Sequence, residues 1–79
     1  SEIIYALDNE PRNSQIVSYY ENLVNKGQKV CLWPSYVKEK DVNDMILAGK
    51  TKEEVEKIIL TNSFSDLEAS LKLKDWKKI

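Results

Sequence analysis

Two short acidic segments hold the residue types with the widest chemical scope in this chain. They are Asp8-Asn9-Glu10 and Lys40-Asp41-Val42-Asn43-Asp44. Carboxylates that converge repel one another unless they bind a cation or take up a proton. With water and phosphate oxygens they are the usual ligands of magnesium. Two such ions can clamp the attacking and leaving oxygens of a phosphoryl transfer. The same residue types also serve a plainer purpose. An Asp or Asn between a strand and a helix caps the helix and complements its dipole. Asp41 and Asn43 suit that role equally, and Asp44 suits a solvated helix face. Spacing alone leaves both readings open.

Composition removes most other chemistry. The chain has no histidine, so neither a Ser-His-Asp nor a Cys-His nucleophile system can be built. Its one cysteine, Cys31, allows no intramolecular disulfide, and without histidine a structural zinc site is not supported. Cys31 reads instead as a buried, unreactive small hydrophobe in mid-strand. What remains is carboxylate chemistry, with lysine and arginine for phosphates. Arg12 follows the first acidic turn, where it either reaches a phosphate or stands in solvent. Lys72, Lys74, Lys77 and Lys78 form a basic C-terminal stretch that suits a nucleic-acid contact or simply a helix dipole and solubility. Tyr19 and Tyr20 offer faces for base stacking, but their place in an apolar helical stripe assigns at least one to the core. Trp33 reads as core as well. The formal net charge of -1 gives no whole-chain attraction to polyanions, while leaving room for a local basic patch.

The elements that position these residues follow from the apolar pattern. Ile3 to Leu7 is a continuous apolar run, as in a strand covered on both faces. It stops at Asp8-Asn9-Glu10-Pro11, and Pro11 suits the first turn of a helix. Ile16, Tyr19, Tyr20, Leu23 and Val24 recur at helical spacing, and Gly27 reads as the stop. Lys29 to Trp33 is a second strand, ended by Pro34. This strand–helix–strand unit has the length of a right-handed parallel crossover. It brings both strand ends, and so both acidic segments, to the edge where open parallel sheets bind ligands. A charged loop over 36–40 leads to a short helix, started by Asp41 or Asn43 and closed by Gly49. Thr51 and Glu54 fit a capping box, followed by a stripe of Val55, Ile58 and Ile59. Ser65 and Glu68 fit a second box, opening a last helix through Leu71 and leaving the place of Trp76 open.

The expected order is therefore β-α-β-α-α-α in one α/β domain over 1–79. Residues 1–50 hold the β-α-β unit with the acidic motifs, and 51–79 hold the C-terminal helices. A composition of 42% hydrophobic and 32% charged residues is that of a folding chain. At 79 residues its core is modest. Two parallel strands alone are not a stable sheet, so a further strand, a partner chain or self-association through open sheet edges is expected. The apolar runs are too short for a membrane span and no signal peptide opens the chain. An intracellular, soluble protein without a membrane partner is the default.

The acidic strings also resemble a known family. Asp8-Asn9-Glu10 after an apolar strand looks like the Asp-x-Asp motif of TOPRIM domains, with glutamate in the second acidic place. Lys40-Asp41-Val42-Asn43-Asp44 looks like the later Lys-Asp-x-Asn/Asp-Asp/Glu motif of DnaG-type primases. The longer strings Leu7 to Asn13 and Lys40 to Ile46 resemble primases of tailed phages, and the resemblance spans roughly residues 2–50. It implies a partial TOPRIM, Rossmann-like unit: the C-terminal part of a DNA primase, a nucleotidyltransferase that makes RNA primers. It also implies Asp8, Glu10 and Asp41 as catalytic carboxylates and ligands of magnesium or manganese, with Lys40 on a phosphate or the incoming nucleotide. Arg12 would add a second phosphate contact, and Asn43 falls where some relatives have another aspartate. DNA template, nucleotides and a replicative helicase are the implied partners, in the cytoplasm of a phage-infected bacterium. TOPRIM domains also carry a glutamate after an earlier strand, and no residue here supplies it, since Glu2 opens the wrong strand. The chain by itself is expected to be inactive. A TOPRIM nuclease or topoisomerase would use the same scaffold and metals. A non-catalytic interaction module would use the acids as caps and the open edges for strand addition.

Overall fold

A computed structural model describes residues 3–79; Glu2 lies outside them. The elements run β1 (Ile4–Tyr5), α1 (Ser14–Asn25), β2 (Lys29–Cys31), α2 (Val42–Leu47), α3 (Lys52–Thr61), β3 (Ser63–Phe64) and α4 (Asp66–Trp76). β2 is the central strand of a three-stranded sheet in the order β1-β2-β3. β1 pairs with β2 in parallel, Ile4 opposite Lys29 and Tyr5 opposite Val30. This is the expected crossover. β3 adds an antiparallel strand on the other side of β2, with Val30 opposite Phe64 and Cys31 opposite Ser63. It covers one of the two edges that the parallel pair alone would leave open. Sequence reading missed it because two residues carry no periodicity.

The alternation of side chains along the strands divides the core into two. Val30 and Leu32 point to one face, where they meet Tyr20 and Val24 of α1 and Ala69 and Leu73 of α4, with Tyr5 and Leu7 beside them. Cys31 and Trp33 point to the other, where they meet Val37, Met45 of α2 and Val55 of α3, with Ile4 and Ala6 beside them. The sheet is thus covered on both faces, which is why its strands read as continuous apolar runs rather than alternating ones. Tyr20 and Trp76 join α1 to α4 edge-to-face, ring centroids 5.2 Å apart. Lys77 reinforces this packing with an ion pair to Glu21 at 3.3 Å.

Local signals explain where the helices begin and end, and several differ from expectation. Asn13 rather than Pro11 opens α1: its Oδ1 accepts from the Gln15 and Ile16 N–H groups at 2.9 and 3.3 Å. Pro11 sits in the preceding turn, since Asn13 satisfies free N–H groups that a proline ring cannot. Gly27 ends α1 at φ 76°, with its N–H on Val24 O and that of Gln28 on Leu23 O. The buried stripe of α1 is Val17, Tyr20 and Val24; Ile16 and Leu23 are half-buried and Tyr19 is exposed. Asp41, not Asn43, caps α2. The Thr51–Glu54 box forms in full, both bonds at 3.1 Å. The Ser65–Glu68 box does not: Asp66 takes φ 54° to turn the chain from β3 into α4, and the Ser65 side chain makes no capping bond. α4 runs past Leu71 to Trp76.

Candidate active-site edge

Two side chains hold the peptide that leads into the acidic turn after β1. The ladder ends at Tyr5, yet Leu7 has both backbone groups satisfied. Its N–H donates to the Tyr20 hydroxyl at 2.9 Å, and its carbonyl accepts from Trp33 Nε1 at 2.7 Å. Tyr20 in turn donates to the Cys31 carbonyl. One phenol and one indole therefore fix the peptide immediately before Asp8 against the end of β2. Burial, opposed only in part by the Leu7 hydrogen bond, pushes the Tyr20 phenol far above its ordinary range. Burial alone raises the Cys31 thiol to about 12, so the cysteine is inert at neutral pH. This is the unreactive role expected of it.

Asn9 joins the two acidic segments. Its side-chain amide donates to the carbonyls of Val37 at 2.9 Å and Glu39 at 3.1 Å. Its backbone N–H donates to the Lys40 carbonyl. The turn over 8–10 therefore lies directly against the loop that leads into Asp41. That loop is braced further by Glu39, whose buried Oε1 has the Lys50 ammonium 3.5 Å away. The spacing is that of an ion pair without a formed hydrogen bond, so it contributes charge compensation rather than direction.

Each candidate residue can now be placed. Asp8 is exposed. Glu10 is half-buried, and its Oε2 accepts from Asn13 Nδ2 at 3.1 Å. Asp41 is half-buried and accepts from the Asp44 N–H through Oδ1 at 2.8 Å, which is a capping bond made by one carboxylate oxygen. Lys40 is exposed at the junction of the two loops. Arg12 is exposed two residues past Glu10, and Asn43 and Asp44 are exposed on α2. Among the described residues, no three carboxylate, thiol or imidazole groups are arranged as a ready metal cage. The arrangement is an open edge bearing a few carboxylates. Asp8, Glu10 and Asp41 are the oxygen donors of this edge, the donor type that magnesium takes. Asn9 and Asn13 were not singled out from sequence. An asparagine just ahead of an apolar helical stripe is a signal for the second; nothing local marks the first.

No family model matches the chain. Over 78 residues it is 37% identical to the DNA primase of Enterobacteria phage T4, a match covering 96% of this chain and 23% of that protein. This chain is related to a phage DNA primase. It spans about a quarter of that relative's length. The turn bearing Asp8 and Glu10, directly after β1, adjoins the segment between β2 and α2 that leads to Asp41. No described helix is long and apolar enough to cross a membrane.

Proposed function

We propose that this chain is the metal-bearing TOPRIM portion of a DNA primase and supports RNA primer synthesis as part of a larger protein. The observation that carries the reading is the Asn9 tie, which sets the turn bearing Asp8 and Glu10 against the loop bearing Lys40 and Asp41. Relatedness to a phage primase supports it.

In this reading Asp8 and Glu10 hold magnesium or manganese, with Asp41 beside them. Such an ion would supply charge stabilisation on the nucleotide phosphates for a transfer in which a 3′ hydroxyl, losing its proton, displaces pyrophosphate from the α-phosphate. The protein's own contribution is positional. Tyr20 and Trp33 fix the Leu7 peptide and so the exit of β1 toward Asp8. Asn13 orients the Glu10 carboxylate while capping α1. Asn9 holds the two loops at one separation, so that Lys40 can meet a phosphate from the second loop. Arg12 offers a planar donor on the other side of the turn. DNA template and nucleotides are the partners in this reading.

The test is a magnesium and manganese titration of this chain followed by backbone-amide NMR, alongside the Asp8→Asn, Glu10→Gln double variant. Localised, saturable shifts at residues 8–10 and 40–41 that vanish in the double variant are expected. Shifts of equal size in the double variant would overturn the assignment. Asp8→Ala in a full-length primase carrying this segment should abolish primer synthesis while leaving the fold intact by circular dichroism.

A further inference from the structure

The acidic turn is fixed at alternate residues. Leu7 is held through both its backbone groups, Asn9 through its N–H and its side-chain amide, and Pro11 through its carbonyl. Asp8 and Glu10 stand between these fixed points. The Leu7 and Asn9 contacts come from α1 and from the segment after β2. The third comes from elsewhere in the chain: the Lys78 N–H, in the stretch beyond α4, donates to the Pro11 carbonyl at 2.8 Å.

The chain reaches that carbonyl by a change of direction at the end of α4. The Lys77 N–H still closes on the Leu73 carbonyl, but Lys77 itself is extended, at φ −70° and ψ 145°. Its ammonium pairs with Glu21 of α1 at 3.3 Å. Trp76, just before it, packs against both apolar clusters. The Lys78 N–H is therefore presented by a braced segment.

The acceptor stands in a tight turn. The Asn13 N–H donates to the Glu10 carbonyl at 3.0 Å, which closes a four-residue turn with Pro11 in second place. Proline favours that place, because its fixed φ matches the turn. The peptide between the second and third residues is the one whose reversal separates type I from type II turns. Lys78 holds that peptide by its oxygen. It thereby sets the turn that begins at Glu10 and presents Arg12.

We infer that Lys78, through its backbone N–H, is a positioning residue for the metal edge: it fixes the turn over residues 10–13, and so the place of the Glu10 carboxylate relative to Asp8. This role rests on the metal reading proposed above. It belongs to the backbone of Lys78 and not to its charge.

Two substitutions isolate the bond. Lys78→Ala and Lys78→Pro remove the same charge, but only proline removes the N–H. Lys77 already has the extended conformation that a following proline requires, and position 78 lies outside α4. Lys78→Pro should therefore keep the fold. The experiment titrates the parent chain and both variants with magnesium and follows backbone amides by NMR. Before metal is added, the amides of Glu10, Arg12 and Asn13 should shift in Lys78→Pro, while those of β2 should not. With magnesium, Lys78→Ala should bind as the parent does. Lys78→Pro should bind about tenfold more weakly, the lower end of what loss of an outer partner costs. Equal magnesium affinity of the two variants would overturn the positioning role and leave the metal reading intact. So would metal-free shifts in Lys78→Pro as large in β2 as in the turn, since the change would then be general. A parent chain without saturable magnesium shifts would sink the metal reading, and the positioning role with it.

Discussion

At the scale of single residues, hydrogen bonds to backbone carbonyls and amides decide where the acidic turn sits. Asn9→Ala removes two side-chain bonds and is expected to lower stability by about 1–2 kcal/mol, read as a shift in the urea midpoint. If the metal reading holds, it should also weaken magnesium binding by about 10–100-fold, as loss of an outer partner commonly does. Tyr20→Phe leaves the Leu7 N–H and the Cys31 carbonyl without their partner, at a cost of about 1–3 kcal/mol. Tyr20 and Cys31 also set the response to alkali. Each has its folded-state pKa raised above its ordinary value, 10.0 for the phenol and 9.0 for the thiol. The contribution of such groups is fully present below the unfolded pKa and is lost as pH rises toward the folded one. Stability should therefore be insensitive to these groups at neutral pH and fall from about pH 9 upward. In Tyr20→Phe the part of the decline above about pH 10 should be smaller; chemical denaturation across the alkaline range checks this. None of these bonds could be read from sequence. Asn9 sits between two acids that draw attention to themselves, and its partners are carbonyls twenty-eight and more residues away.

At the scale of elements, what was legible was what rests on local physics. Gly27, the Thr51–Glu54 box, the parallel crossover and the Val55 stripe all follow from spacing and backbone preference within a turn or two. Strand β3 and the failed Ser65 box do not: the first is selected by the free edge of β2, and the second is displaced by the left-handed Asp66. The candidate site divides in the same way. The charged residues are visible as types, whereas the joining of the two segments depends on tertiary contacts. Asp41 belongs to both categories, since it caps α2 in the structure and is a proposed metal neighbour. Two substitutions separate those roles. Asp41→Ala should destabilise the chain by about 0.5–2 kcal/mol through loss of the cap. Asp41→Asn keeps an equally good cap and should leave the melting temperature nearly unchanged. If Asp41→Asn nonetheless reduces the metal-induced amide shifts, the carboxylate charge matters beyond capping; unchanged shifts would leave Asp41 a cap alone.

At the scale of the molecule, a sheet of three short strands carries separate apolar clusters on its two faces. Trp76 is the side chain that packs against both. Neither cluster is large, and a domain of this size holds only about 3–5 kcal/mol from its core. Met45 is fully buried in the α2–α3 cluster, and Met45→Ala should cost about 2–5 kcal/mol. Most of the cooperative thermal transition should be lost in that variant, and circular dichroism would show it. Retention of a transition within a few degrees of the parent would mean that the two faces unfold independently.

The Asn9 contacts have a consequence for motion. The turn after β1 and the loop after β2 share three hydrogen bonds through one residue, so neither opens far without releasing the other. Their amides should behave as one unit in native-state hydrogen exchange, with a common opening free energy rather than two. Asn9→Ala should split that unit, and the amides of the 37–40 loop would then exchange ahead of those at the end of β1. A ligand that grips either loop would slow exchange in both.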